Sequence, residues 1–151
     1  MDEADVRQRA RAFVARVDAS NIREDLSPYV IAANAKVKKD ELGEGESGYT
    51  VTKPNGKHII TVNSLETDER QRFTVCHEIA HIVLGLESSH DEVPSWSYAK
   101  RHPNEIACDT FAAELLMPYQ QWLSAVPKEE PSLELIQHMA DLFGTSFPAA
   151  A

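Results

Sequence analysis

Apolar residues recur at Val6, Ala10, Phe13, Val14 and Val17, with polar and charged residues between them. That spacing predicts a helix over 2–18 with one buried stripe. Asp2, Glu3 and Asp5 fall in its first turn, where negative charge offsets the helix dipole. Ser27 and Pro28 predict a short second helix over 27–35, with Ser27 as N-cap and Pro28 at the first helical position. The period then changes. Glycines punctuate short runs of β-branched and aromatic residues, and Asn55-Gly56 between TVTK and HIITV is a hairpin signal. Strands are predicted near 47–53 and 57–63, with a weaker one near 36–39.

From Leu65 the helical period returns. Thr67 suits an N-cap, Asp68 and Glu69 follow it, and Gly85 is a terminator, so a helix is predicted over 68–84. A polar loop over 86–102 leads to Pro103, which opens a helix over 103–116 that Met117-Pro118 ends. A shorter helix is expected over 119–125, and a last one over 133–142, capped by Ser132 and closed by Gly144. There are no internal repeats. The fold class expected is α+β, a small mixed or antiparallel sheet packed against helices.

Composition narrows the function classes. The chain has 151 residues, 42% hydrophobic and 26% charged, enough for one domain with its own core. No apolar run nears the roughly 20 residues that span a bilayer. The N-terminus lacks an apolar segment of signal-peptide type, so the expected location is the cytoplasm. A net charge of -9 without basic clusters argues against direct nucleic-acid binding, though not against a basic protein partner. Cys76 and Cys108 are expected to be small buried thiols rather than a disulfide framework.

The candidate chemistry lies in HEIAH. His77 and His81 stand about 40° apart on one helical face, one turn removed. Two imidazole nitrogens so placed can reach one Zn²⁺ at about 2.0–2.1 Å. Glu78 lies beside that face, where a carboxylate can take a proton from water activated by the metal. Phe73, Ile79, Ile82, Val83 and Leu84 would bury the helix and keep water scarce around the ion.

Catalytic zinc usually keeps three protein ligands and one open position. The downstream candidates are His90, Asp91, Glu92, His102, Glu105, Cys108, Asp109 and Glu114. Glu105 and Asp109 share a face of the helix over 103–116. Glu105 could ligate the metal while Asp109 accepts the second ring N–H of His77, fixing its tautomer. Cys108 and Asp109 stay open as alternative third ligands. Glu114 falls on about the opposite face from Glu105 and is expected to be exposed to solvent. His90 and His102 are expected to be solvated, with oxyanion or substrate contact as the alternative role they share with Tyr98 and Tyr119, whereas His58 and His138 are expected to be inert. Two imidazoles and a carboxylate suit Zn²⁺ best, with Mn²⁺ or Fe²⁺ able to use the same set.

RFTVCHEIAH followed by NEIACDTFAAELLMP closely resembles the ImmA/IrrE family of metallopeptidases. Arg72-Phe73-Thr74 precedes the zinc helix as in that family. Glu105, Asp109, Phe111-Ala112-Ala113 and Leu115-Leu116-Met117-Pro118 match its second signature. The resemblance spans about 25–147. It implies a zincin core of the thermolysin-like, or gluzincin, type, with His77, His81 and Glu105 as ligands; together with the N-terminal helix that domain is expected over 1–126. It makes Glu78 the general base and Asp109 the partner of a ligand. It also implies a metalloendopeptidase that cuts a helix-turn-helix repressor encoded alongside it, in stress responses, mobile elements or toxin–antitoxin-like modules. Residues 135–147 resemble the helix-turn-helix-like extension that follows the core, so 127–151 is expected to be the start of an extension cut short. The rival reading is a regulatory, antitoxin-like binding protein whose metal site is structural or vestigial, closed by a fourth protein ligand such as Cys108.

Overall fold

The computed structural model describes residues 2–87 and 102–117 of the chain. Helix α1 (Glu3–Ala15) is capped by Asp2, whose carboxylate accepts from the Asp5 amide at 2.8 Å. Asp2 therefore stands just before the first turn, while Glu3 and Asp5 occupy it. Val6, Ala10 and Phe13 form the buried stripe, with Val14 and Val17 at its margin. The helix stops earlier than its apolar period, because the Arg16 amide tightens onto the Phe13 carbonyl at 3.1 Å.

Helix α2 (Ser27–Ala32) departs from expectation at both ends. Ser27 is not its N-cap. The Asp25 carboxylate accepts from both the Ser27 amide (2.9 Å) and the Ser27 hydroxyl (2.6 Å), so that side chain is engaged upstream. Leu26 takes the cap position without a side-chain bond. The helix ends before 35 because Asn34 adopts a left-handed φ of 55° and turns the chain into strand β1 (Ala35–Asp40).

Strands β2 (Gly48–Thr52) and β3 (His58–Asn63) form the expected hairpin. Gly56 supplies the positive φ of 86° in its turn, and the Lys53 amide bonds the Lys57 carbonyl at 2.8 Å. The sheet order is β1-β3-β2, with β1 parallel and β2 antiparallel to the central β3. The fold is thus α+β with a mixed three-stranded sheet. As the covered strand, β3 buries Ile60 and Val62 on one face and Thr61 and Asn63 on the other.

Helix α3 (Asp68–Leu84) has the predicted bounds because each end carries its own signal. The Thr67 hydroxyl accepts from the Arg70 amide at 3.2 Å, and Gly85 closes the helix with a φ of 67°. Arg72-Phe73-Thr74 lies inside this helix rather than ahead of it. Helix α4 (Pro103–Leu116) starts at the expected proline. It packs against α3 on one side and α1 on the other, while α3 also lies on β2 and β3.

That arrangement overturns the solvent-facing assignment of Glu114. The side of α4 turned from Glu105 meets α1, so Glu114 is only 8% exposed, and Arg11 of α1 donates to it through Nε at 3.0 Å. Nearby, Phe13 packs against Tyr29 and Phe111 with ring centroids 5.8 and 6.0 Å apart. The Tyr29 hydroxyl donates to the Leu115 carbonyl at 2.7 Å, satisfying an acceptor in the last turn of α4. Cys76 and Cys108 are both buried free thiols.

Among the described residues no helix is long and apolar enough to cross a membrane. The helices predicted over 119–125 and 133–142, and the extension from 127, lie outside the described residues. So do His90, Asp91, Glu92, Tyr98, Tyr119 and His138.

Candidate metal centre

The α3–α4 contact brings three side chains to one point. His77 Nε2 and His81 Nε2 are 3.2 Å apart, and Glu105 Oε1 lies 3.1 Å from the first and 3.3 Å from the second. Four ligands arranged tetrahedrally at zinc bond lengths stand about 3.3–3.4 Å from one another. The observed separations therefore match those of three ligands around one small divalent cation. His77, His81 and Glu105 are the group of donors among the described residues that could hold such an ion.

The outer nitrogens of both rings are engaged, which aims the inner ones. His77 Nδ1 donates to Asp109 Oδ1 at 2.7 Å, and His81 Nδ1 donates to the Leu86 carbonyl at 2.9 Å. Each bond selects the tautomer whose Nε2 lone pair faces the common point. The Leu86 contact follows from the left-handed turn at Gly85, which folds the chain back over the last turn of α3. That glycine is legible four residues after His81, but the identity of the bonded carbonyl is not.

Charges and hydrogen bonds around the two rings favour their protonated forms. Burial works against a charged His77, yet hydrogen bonds to Asp109 and Glu105, with the charges of Asp109 and Glu78, outweigh it and raise its pKa to about 9. Burial likewise opposes protonation of His81, but contacts with Cys108, Glu105 and Leu86 raise it to about 10. The Cys108 thiol packs against His81; burial raises its pKa, partly offset by that ring. Cys76 is pushed up to about 12 by burial, opposed by Arg72.

Glu78 is 5% exposed, and its Oε2 accepts from the Thr50 hydroxyl of β2 at 2.8 Å. Glu78 and His81 line a cleft of about 310 Å³ together with Tyr49, Thr50, Thr52 and His58 of the sheet. His58 bonds Thr52 Oγ1 through Nδ1 at 2.8 Å, so it belongs to the cleft wall. His102 is exposed and acts as N-cap of α4, its Nδ1 accepting from the Asn104 amide at 3.1 Å. A larger groove of about 790 Å³ between α2, β1 and the start of α3 contains none of the three donors. Thr50 carries no sequence signal for this contact, because its register against α3 is a property of the folded sheet.

The chain resembles known proteins at three levels. Residues 25–151 match the model of the peptidase family described as the IrrE N-terminal-like domain. Over 66 residues the chain is 42% identical to the radiation response metalloprotease IrrE of Deinococcus deserti, a match covering 40% of this chain and 23% of that protein. A Mycobacterium tuberculosis transcriptional regulator shares the fold at a TM-score of 0.62 and 13% identity, covering 97% of this chain and 45% of that one. The chain thus spans less than half the length of either relative. With the family model matched across most of its length, the chain belongs to the IrrE N-terminal-like domain family of peptidases.

Proposed function

We propose that the chain is a zinc-dependent endopeptidase with a zincin core of thermolysin-like type, acting in the cytoplasm on a helix-turn-helix repressor. The convergence of His77, His81 and Glu105 beside Glu78 is the observation that carries the reading. In it, those three side chains hold the ion and Asp109 orients His77. Zinc suits the donor set best, with Mn²⁺ as the next candidate. When bound, the ion supplies Lewis acidity for the attacking water and the scissile carbonyl.

The chain's own residues do the rest. The Glu78 carboxylate takes the proton of the attacking water and delivers it to the leaving amine. Substrate adds to the edge of β2, which no described strand pairs. Lys53 donates inward to Lys57, and Asn63 donates to the Ser47 carbonyl, so positions 47 and 53 bond toward β3. Antiparallel alternation then turns the backbone groups of Gly48, Thr50 and Thr52 outward, where an extended peptide can bond them. The acidic chain, at net charge -9, favours a basic substrate such as a DNA-binding protein.

The test is cleavage of the purified helix-turn-helix protein encoded beside this chain's gene, followed by mass spectrometry. Zinc-loaded wild type should cut it. Glu78→Gln should bind zinc but lose cleavage by at least about a hundredfold, the lower range for a general base. A Glu78→Gln variant that cuts at the wild-type rate would refute the assignment.

A further inference from the structure

We propose that Thr50 is a positioning residue for Glu78, holding one carboxylate oxygen so that the other faces the water and the substrate strand. The proposal rests on the peptidase reading above. The Thr50 hydroxyl donates to Glu78 Oε2 at 2.8 Å, linking the middle of β2 to the middle of α3. Among the described residues this is the hydrogen bond that the Glu78 side chain makes. Glu78 is nearly buried, where a carboxylate with several accessible rotamers would spend part of its time turned from the reacting atoms.

Two features make the contact a built one. Gly48 lies two residues before Thr50 on the same face of β2. A Cβ there would meet the Thr61 carbonyl oxygen of β3 at 2.5 Å and Thr74 Cγ2 of α3 at 2.7 Å, so the absence of a side chain lets β2 sit close against both β3 and α3. That approach brings Oγ1 within reach of Glu78. Thr50 is also β-branched, so its χ1 is restricted and its hydroxyl direction is set by the strand. Its backbone groups face the edge of β2 away from β3, so one residue presents main chain to the incoming peptide and a side-chain donor to the base. Seating of the substrate strand and orientation of Glu78 are thereby coupled through a single position.

The experiment compares Thr50→Val, which keeps the shape and removes the donor, with Thr50→Ser, which keeps the donor. Steady-state cleavage of the repressor used above is measured for each zinc-loaded protein. Thr50→Val should lower kcat roughly tenfold to a hundredfold, the range for losing a hydrogen bond to a charged group, with KM held. Thr50→Ser should recover most of the loss. Independently of turnover, the Glu78 side-chain carboxyl carbon is followed by NMR in the zinc-free protein. Its signal should shift and broaden in Thr50→Val and stay near its wild-type position in Thr50→Ser.

An active wild type paired with a Thr50→Val variant of unchanged kcat overturns the proposal, as does an unmoved Glu78 carboxyl signal. A serine variant as impaired as the valine variant assigns Thr50 a packing role and also overturns it. A wild type that leaves the repressor whole fails the peptidase reading itself, taking the role of Thr50 with it; the wild-type trace separates that failure from the others.

Discussion

Replacing Asp109 tests whether α4 supplies the centre with orientation as well as a donor. Asp109 Oδ1 accepts from His77 Nδ1 at 2.7 Å, the short separation expected of a charge-assisted bond. Asp109→Asn keeps an acceptor of the same shape but removes the charge. Asp109→Ala removes both and frees the His77 ring to turn from the common point. Loss of a carboxylate behind a metal-bound histidine costs about ten- to a hundredfold in metal affinity, or about 1.4–2.7 kcal/mol. The asparagine variant should fall near the lower bound and the alanine variant near the upper one. The assay is zinc competition against a fluorescent chelator at pH 7.5, with far-UV circular dichroism confirming that α4 is intact. Wild-type affinity in a folded Asp109→Ala protein would refute the reasoning.

Three further outcomes are expected. Gly48→Ala should destabilise the fold by about 1–3 kcal/mol in urea titration, the usual range for overpacking, because its Cβ would meet backbone oxygen at 2.5 Å. An unchanged midpoint would mean that β2 can shift freely from both β3 and α3. Tyr29→Phe should cost about 1–2 kcal/mol, since it strips the Leu115 carbonyl of a buried donor; equal stability would show that another group satisfies that oxygen. Metal-free protein should lose stability as pH rises. The pKa of His77 is raised to about 9 and that of His81 to about 10 in the fold, so proton binding stabilises the native state. The gain is complete below the unfolded value of about 6.5 and disappears as pH climbs through about 9 to 10. Melting temperatures of chelator-treated protein should therefore fall between pH 6.5 and 10, and a flat or rising profile would contradict the assignment.

Much of the fold is legible in local signals. Thr67 and Gly85 bound α3 at the residues their types imply, because a cap and a left-handed glycine act within a few residues of themselves. Asn55-Gly56 specified the hairpin for the same reason. Ser27 is no N-cap because Asp25 accepts from both its hydroxyl and its amide, and α2 ends short of 35 because Asn34 turns left-handed. Glu114 is buried because α1 and α3 cover two faces of α4, which helical spacing within α4 alone does not reveal.

The sequence by itself determined that His77, Glu78 and His81 share one helix at metal-binding spacing, since a helix converts an interval of four residues into neighbouring positions. It could not set the distance from that helix to Glu105 and Asp109, which are separated from it by a long connection. Packing of α4 between α3 and α1 placed Glu105 3.1 Å from His77 and Asp109 2.7 Å from its other nitrogen. Pairing of β2 with β3 beside α3 put the Thr50 hydroxyl on Glu78. Intervals within a helix are fixed by backbone geometry, while contacts between elements depend on how side chains of distant segments fill the space between them.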